Sequence, residues 1–177
     1  MFGGRRGPQM IGVLAPVPEP HAAIIQHWRH ELGDKTADIV PPHVTLLGPV
    51  FVPAKVFDAV VSHIEVVANG TAPISMHLSG TASFRPVTPT AFVEMAGGRP
   101  ELEALARGLN SGPLQHEPAY DYRPHVTIAN EMPAAVLDRA EEVLADFEAE
   151  YVTEAIGLYS PDGFGKWQVL RWFALRG

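Results

Sequence analysis

Apolar positions along the chain switch repeatedly between two spacings, and each switch predicts a strand or a helix. Residues 10–15 form a short apolar run closed by Pro16 and Pro18, and residues 21–32 then carry Ile24, Ile25, Trp28 and Leu32 at helical spacing. A second apolar stretch, 43–47, predicts a strand closed by Gly48 and Pro49. Pro53 then opens a helix whose Val56, Val60, Ile64 and Val67 share one face, with Gly70 as its stop. From 74 to 84 the alternation is clean. Ile74, Met76, Leu78, Ala82 and Phe84 take one face and Ser75, His77, Ser79, Thr81 and Ser83 the other, as on a strand with one side exposed. Residues 90–95 predict its pairing partner, and 101–109 a helix ending near Gly112.

From residue 125 the order recurs. A strand at 125–129 is followed by a Pro133-started helix with Leu137, Ala140, Leu144 and Phe147 on one stripe, then by closing strands at 152–159 and 169–175. The repetition is also literal: Pro-His-Val-Thr occurs at 42–45 and again at 124–127, where composition alone would supply roughly 0.004 copies. Its two histidines lie 82 positions apart in 177 residues, which suits two similar lobes about an approximate two-fold axis. The expected fold class is therefore α+β. One bilobal domain over 1–177 would hold two pseudo-symmetric lobes of antiparallel sheet, with helices outside, the helices begun at Pro53 and Pro133 in equivalent places, and a central cleft between the lobes.

Composition narrows the function. With 13 basic against 20 acidic side chains the formal charge is −7, so no broad basic face is expected, and neither DNA nor long polyphosphate chains are expected partners. The absence of cysteine removes disulfide scaffolds, thiolate metal sites and cysteine nucleophiles. No apolar run approaches the roughly 18 residues of a membrane span. Arg5 and Arg6 followed by an apolar run are broken by Pro16 and Pro18, a poor secretory leader, so no membrane partner and a cytoplasmic location are expected.

On a strand, residues i and i+2 point to the same side. His43 and Thr45 therefore share a face, as do His125 and Thr127, while Val44 and Val126 point the other way. Two imidazoles and two hydroxyls turned toward one target suit in-line displacement at phosphorus. That reaction needs a base beside the attacking oxygen and an acid beside the leaving oxygen, and histidine serves either task near neutrality. Hydroxyls can hold the non-bridging oxygens, and no metal or other cofactor is required.

Both motifs, HVTLLG at 43–48 and HVTIAN at 125–130, together with the element order, resemble the two-histidine (2H) phosphoesterases, in particular the branch of 2′-5′ RNA ligases and RNA 2′,3′-cyclic phosphodiesterases. Phe84 and Pro86 ahead of residues 92–95, and Ser160 ahead of residues 167–175, extend the likeness. The resemblance implies hydrolysis of a cyclic phosphate at an RNA end or on a small nucleotide, or the reverse joining of ends through a 2′-5′ bond. It makes His43 the proton donor, His125 the acceptor, and Thr45 and Thr127 the phosphate contacts. Where many members carry a basic residue after the second motif, this chain has Asn130.

Other polar residues weigh less. Arg85, Tyr122 and Arg123 are candidate substrate contacts, with Tyr120 and Lys166 beside them, although packing and turn formation account for the tyrosines equally well. Phe84, on the apolar face of its strand, is expected in the core, with Arg85 pointing oppositely. His21, His27 and His30 read as a solvated helix face, and His27 and His30 at i, i+3 read more weakly as metal ligands. His77 falls on a polar strand face that could line the cleft, and His63 and His116 have no partner in the sequence. Residues 163–166 lack the glycine and hydroxyl of a phosphate loop, and residues 3–7 read as a frayed end. The rival to an enzyme is a silent module of the same fold that binds a nucleotide or RNA end, but both motifs are intact.

Overall fold

The computed structural model describes residues 7–177; of the stretch at 3–7 only Gly7 is included, and Arg5 and Arg6 lie outside. The chain runs through β1 (Gln9–Pro16), α1 (His21–Glu31), β2 (His43–Val52), α2 (Phe57–Asn69, led in by a short 3-10 turn at Ala54–Val56), β3 (Ile74–Ser83), β4 (Thr90–Gly97) and α3 (Arg99–Leu109). It continues through β5 (His125–Asn130), α4 (Ala134–Val143), β6 (Glu148–Thr153), β7 (Ala155–Pro161) and β8 (Trp167–Ala174). The eight strands form one antiparallel sheet in the order β6-β3-β4-β5-β2-β1-β7-β8.

That order divides into two halves of four strands. Each half has a His-x-Thr strand innermost, and the halves join at a single registered pair, Val44 with Val126. The pseudo-symmetry is built by exchange, since β3 crosses to the half containing β4, and β7 and β8 return to the half containing β1. The helices cross too: α1 packs on β5 and α3 on β2. The helices begun at the two prolines are not strict equivalents, because α4 packs on β3, β4 and β5, whereas α2 packs chiefly on β8 and α3. One face of the sheet and the helices enclose the core, which holds Ile11, Val13, Val44, Val93, Val126 and Ile128 from the central strands and Ile25, Ile64, Leu102 and Leu137 from the helices.

Three boundaries differ from the sequence reading. The strand expected to stop at Gly48 runs on to Val52, because Ile11 pairs with Val50 and Val13 with Leu47. One extra residue is thereby absorbed in a bulge at Gly48 and Pro49, where a proline without an N–H is tolerated. The helix from Pro133 ends at Val143, and Phe147 stays buried in the turn that leads to β6. The strand expected over 152–159 is two strands broken at Glu154. Thr153 pairs with Ile74 in one half and Ala155 with Ala174 in the other. Two residues of chain span at most ~7 Å, so the sheet must curl until the ends of its halves approach.

A fourth difference decides what lines the cleft. In β3, Leu78 pairs with Met95 but Thr81 with Val93, so one residue is extra at Ser79 and Gly80, and Gly80 takes φ +70°. A bulge of one residue reverses the faces beyond it. Thr81 therefore turns toward α4, where its hydroxyl donates to Glu141 O (2.7 Å), and Phe84 emerges on the face away from the helices.

Candidate active site

The two His-x-Thr segments begin β2 and β5, and each is entered through a proline that lacks an N–H and restricts the residue before it to extended backbone. The carbonyl of that preceding residue meets the imidazole: His43 Nδ1 lies 2.6 Å from Pro41 O, and His125 Nδ1 lies 2.7 Å from Arg123 O. A carbonyl can only accept, so Nδ1 carries the hydrogen in both rings and Nε2 is left for chemistry. His43 Nε2 accepts from the Thr45 hydroxyl at 3.1 Å.

Val44 and Val126 point into the core and are fully buried, so His43, Thr45, His125 and Thr127 all stand on the opposite face. In antiparallel register about that pair, His43 flanks Thr127 and Thr45 flanks His125. The two histidines are thus diagonal neighbours, ~7–8 Å apart between backbones. The space between them is bordered by an imidazole and a hydroxyl from each strand.

The walls of the two histidines differ. Phe84 meets the His125 ring edge-on at 4.8 Å and Phe92 lies 5.2 Å from it, whereas Leu14 occupies on β1 the place that Phe92 holds on β4. Burial lowers both imidazole pKa values. That of His43 falls to about 4, with Arg29 and His125 adding unfavourable charge; that of His125 also falls, with Arg123 adding to the effect of burial. The hydrogen bonds to Pro41 O and Arg123 O oppose these shifts without cancelling them.

A cavity of about 800 Å³ opens beside Thr45, His125 and Thr127. Phe84, Thr88, Thr90 and Asn130 line it from one side, and the loop from His116 to Arg123 from the other. Asn130 Oδ1 accepts from the Thr90 hydroxyl at 2.9 Å, which leaves the amide NH2 for the cavity. Tyr122 lines it too, but its hydroxyl is committed to Thr45 O (2.9 Å), and burial holds its pKa above the ordinary phenol value. Arg123 lies over the Phe92 ring at 5.0 Å and pairs with Glu94. Tyr120 and His116 are part of the same wall; His116 Nδ1–H donates to Leu114 O at 3.0 Å.

Other residues singled out in the sequence lie elsewhere. Arg85 does not line this cavity; the bulge at Gly80 that turns Phe84 inward turns Arg85 outward, onto Asp138 (2.7 Å) and Glu141 of α4. Lys166 lines a separate cavity next to Pro41 and Pro42. His77 is held by Glu148 at 2.6 Å, His63 lies 3.3 Å from Leu109 O, and His21 packs against Phe147 and Tyr151 rather than into solvent. His27 and His30 are exposed. Among the described residues no three His, Cys, Asp or Glu side chains gather as metal ligands, and no helix is long and apolar enough to cross a membrane. Phe84 and Asn130 are the site features that sequence reasoning placed in the core or set aside. Gly80, interrupting an alternating strand, was the available signal for the first.

Comparison with known proteins bears on the family and the fold. Residues 16–163 match the family described as the 2′-5′ RNA ligase superfamily. A protein of Bacillus mycoides named as a phosphoesterase is 29% identical over 141 residues, 77% of this chain and 80% of that one. Another so named, from Bacillus cytotoxicus, is 33% identical over 94 residues, which are 53% of this chain and 54% of that protein. Among solved structures, E. coli LigT complexed with 3′-AMP superposes with a TM-score of 0.71 at 18% identity, over 96% of this chain and 99% of that one. LigT has also been solved with phosphate, ATP and NADP+.

Proposed function

The chain belongs to the 2′-5′ RNA ligase superfamily, and from that premise we propose that it is a metal-independent phosphodiesterase that opens 2′,3′-cyclic phosphate ends of RNA or of small nucleotides. The observation that carries the proposal is the pair of imidazoles on one sheet face, each held with Nε2 outward by a backbone carbonyl. Water attacks phosphorus and gives its proton to Nε2 of His125. The bond from phosphorus to one ribose oxygen breaks in line, and that oxygen takes the proton from Nε2 of His43. Thr45 and Thr127 donate to the non-bridging oxygens, and the Asn130 amide is placed to do the same.

The acid must be charged, yet burial keeps His43 neutral at pH 7 in the free protein. A phosphodiester brings the negative charge that stabilises an imidazolium, so substrate binding is accompanied by uptake of a proton. Nucleotides bound to LigT support a nucleotide-sized ligand here. The same displacement with a ribose 5′-hydroxyl in place of water, its proton passing to His125 and the leaving ribose oxygen taking one from His43, would join RNA ends.

An oligonucleotide ending in a 2′,3′-cyclic phosphate, incubated with and without a 5′-hydroxyl partner, separates the readings. Ring opening without the partner is the expected result. Joined product alone would make the chain a ligase, and binding without turnover of either kind would make it a recognition module.

A further inference from the structure

The mechanism makes no use of the most buried charge among the described residues. Arg29, in the last turn of α1, is 2% exposed, and Asp34 beside it is 5% exposed. The guanidinium spends its donors on the connection between α1 and β2: Nε on Asp34 Oδ2 (3.1 Å), Nη1 on Val40 O (2.8 Å) and on Gln26 Oε1 (3.0 Å), and Nη2 on the Thr36 hydroxyl (3.1 Å). Asp34 Oδ1 in turn accepts from Thr36 N (3.0 Å), and Gln26 Nε2 donates to Ala37 O (2.7 Å). A connection without strand or long helix, carrying exposed Lys35, Asp38 and Ile39, is thereby tied to one buried fork at Asp34 and Thr36, at Ala37 through Gln26, and at Val40.

The last of those points is the informative one. Val40 immediately precedes Pro41, whose carbonyl takes the Nδ1–H of His43, so the grip on Val40 O lies one peptide unit from the contact that sets the imidazole tautomer. Pro42 O is fixed separately by Val17 N (2.9 Å) and Ile39 O by Trp167 N (2.8 Å), which leaves the guanidinium as the side chain holding the peptide between them. The other half of the sheet needs no such fork. There the carbonyl that holds His125 belongs to Arg123, itself anchored through its side chain over Phe92 and on Glu94.

We propose that Arg29 is a positioning residue for His43: by fixing the Val40 peptide it aims the Pro41 carbonyl at Nδ1 and so keeps Nε2 of His43 turned toward the phosphate. The inference rests on the proposed function for its kinetic arm only. Its geometry predicts that planarity and fork shape matter more than charge, because a lysine could reach one of the four partners but not all of them.

The test compares wild type with Arg29→Lys and Thr36→Val, each checked for folding by its thermal transition, using nitrogen-15 NMR of the histidine rings and steady-state hydrolysis of a 2′,3′-cyclic mononucleotide. In Arg29→Lys the His43 ring is expected to lose its single Nδ1–H tautomer while His125 keeps its own, and kcat is expected to fall about 10- to 100-fold with KM within about 3-fold. Thr36→Val, which removes one contact of the fork, should give a smaller change in the same direction. An unchanged His43 tautomer in a folded Arg29→Lys protein would overturn the proposal, as would equal disturbance of both histidines. If wild type itself fails to turn over the nucleotide, the proposed function falls, and the NMR comparison still decides the role of Arg29.

Discussion

At the level of single residues, the two imidazoles share a carbonyl-locked tautomer but not an environment. Replacing either His43 or His125 with Ala is expected to lower kcat by a factor of ~10² to 10⁴, the usual worth of a positioned acid or base. Thr45→Val and Thr127→Val should cost less, and steady-state kinetics on a cyclic mononucleotide will rank them. The pH dependence follows from the burial. In the free protein burial holds both histidines below 6.5, His43 at about 4, so the acid loses its proton as the pH rises through about 4, while acidification below the lowered pKa of His125 charges the base. The optimum of kcat/KM should therefore lie on the acid side of 6.5, and that of kcat at higher pH, since bound phosphate restores the acid's proton. A kcat/KM optimum above pH 7 would show that burial does not govern these groups. These four side chains were legible because period-two alternation fixes which residues share a face, and the doubled tetrapeptide supplied the symmetry that brings the faces together.

Elements were legible where their periodicity was unbroken and obscure where a bulge or a crossing intervened. Leu78 and Phe84 have the spacing of one face in the sequence, yet the extra residue at Gly80 puts them on opposite faces, and with that shift Phe84 becomes a wall of the site and Arg85 a partner of α4. Gly80→Ala tests this. An alanine at φ +70° costs about 1 kcal/mol or more, so a lower thermal midpoint is expected. Activity should fall beyond what lost stability explains, since the residues after the bulge carry Phe84 to His125. A variant with wild-type kcat at a temperature where it is fully folded would show that the bulge does not set the site. The split at Glu154 had no local signal at all. Residues 152–159 are all compatible with one strand, and only pairing with β3 on one side and β8 on the other divides them.

At the scale of the whole molecule, a charge of −7 and the dispersal of the cations limit the length of nucleic acid the site can grip. Of the three basic residues that the sequence offered, Arg123 lines the cavity already paired with Glu94, Arg85 is on the α4 side, and Lys166 is at a different cavity. Each phosphate held on a long RNA normally engages its own Lys or Arg. A cyclic mononucleotide should therefore be processed about as well as a long RNA bearing the same end, with a shallow dependence on salt. A kcat/KM that climbs steeply with RNA length and collapses between low and physiological salt would reveal a basic track that these positions do not form.

The most direct test of the central claim is the rate of 2′,3′-cyclic nucleotide hydrolysis in EDTA for wild type, for each single histidine variant and for His43→Ala with His125→Ala. If the two imidazoles act as one acid/base unit on one phosphate, wild type turns over in chelator, and the double variant is scarcely slower than either single one. Turnover that EDTA abolishes and zinc or magnesium restores, or single losses that multiply in the double variant, would contradict it.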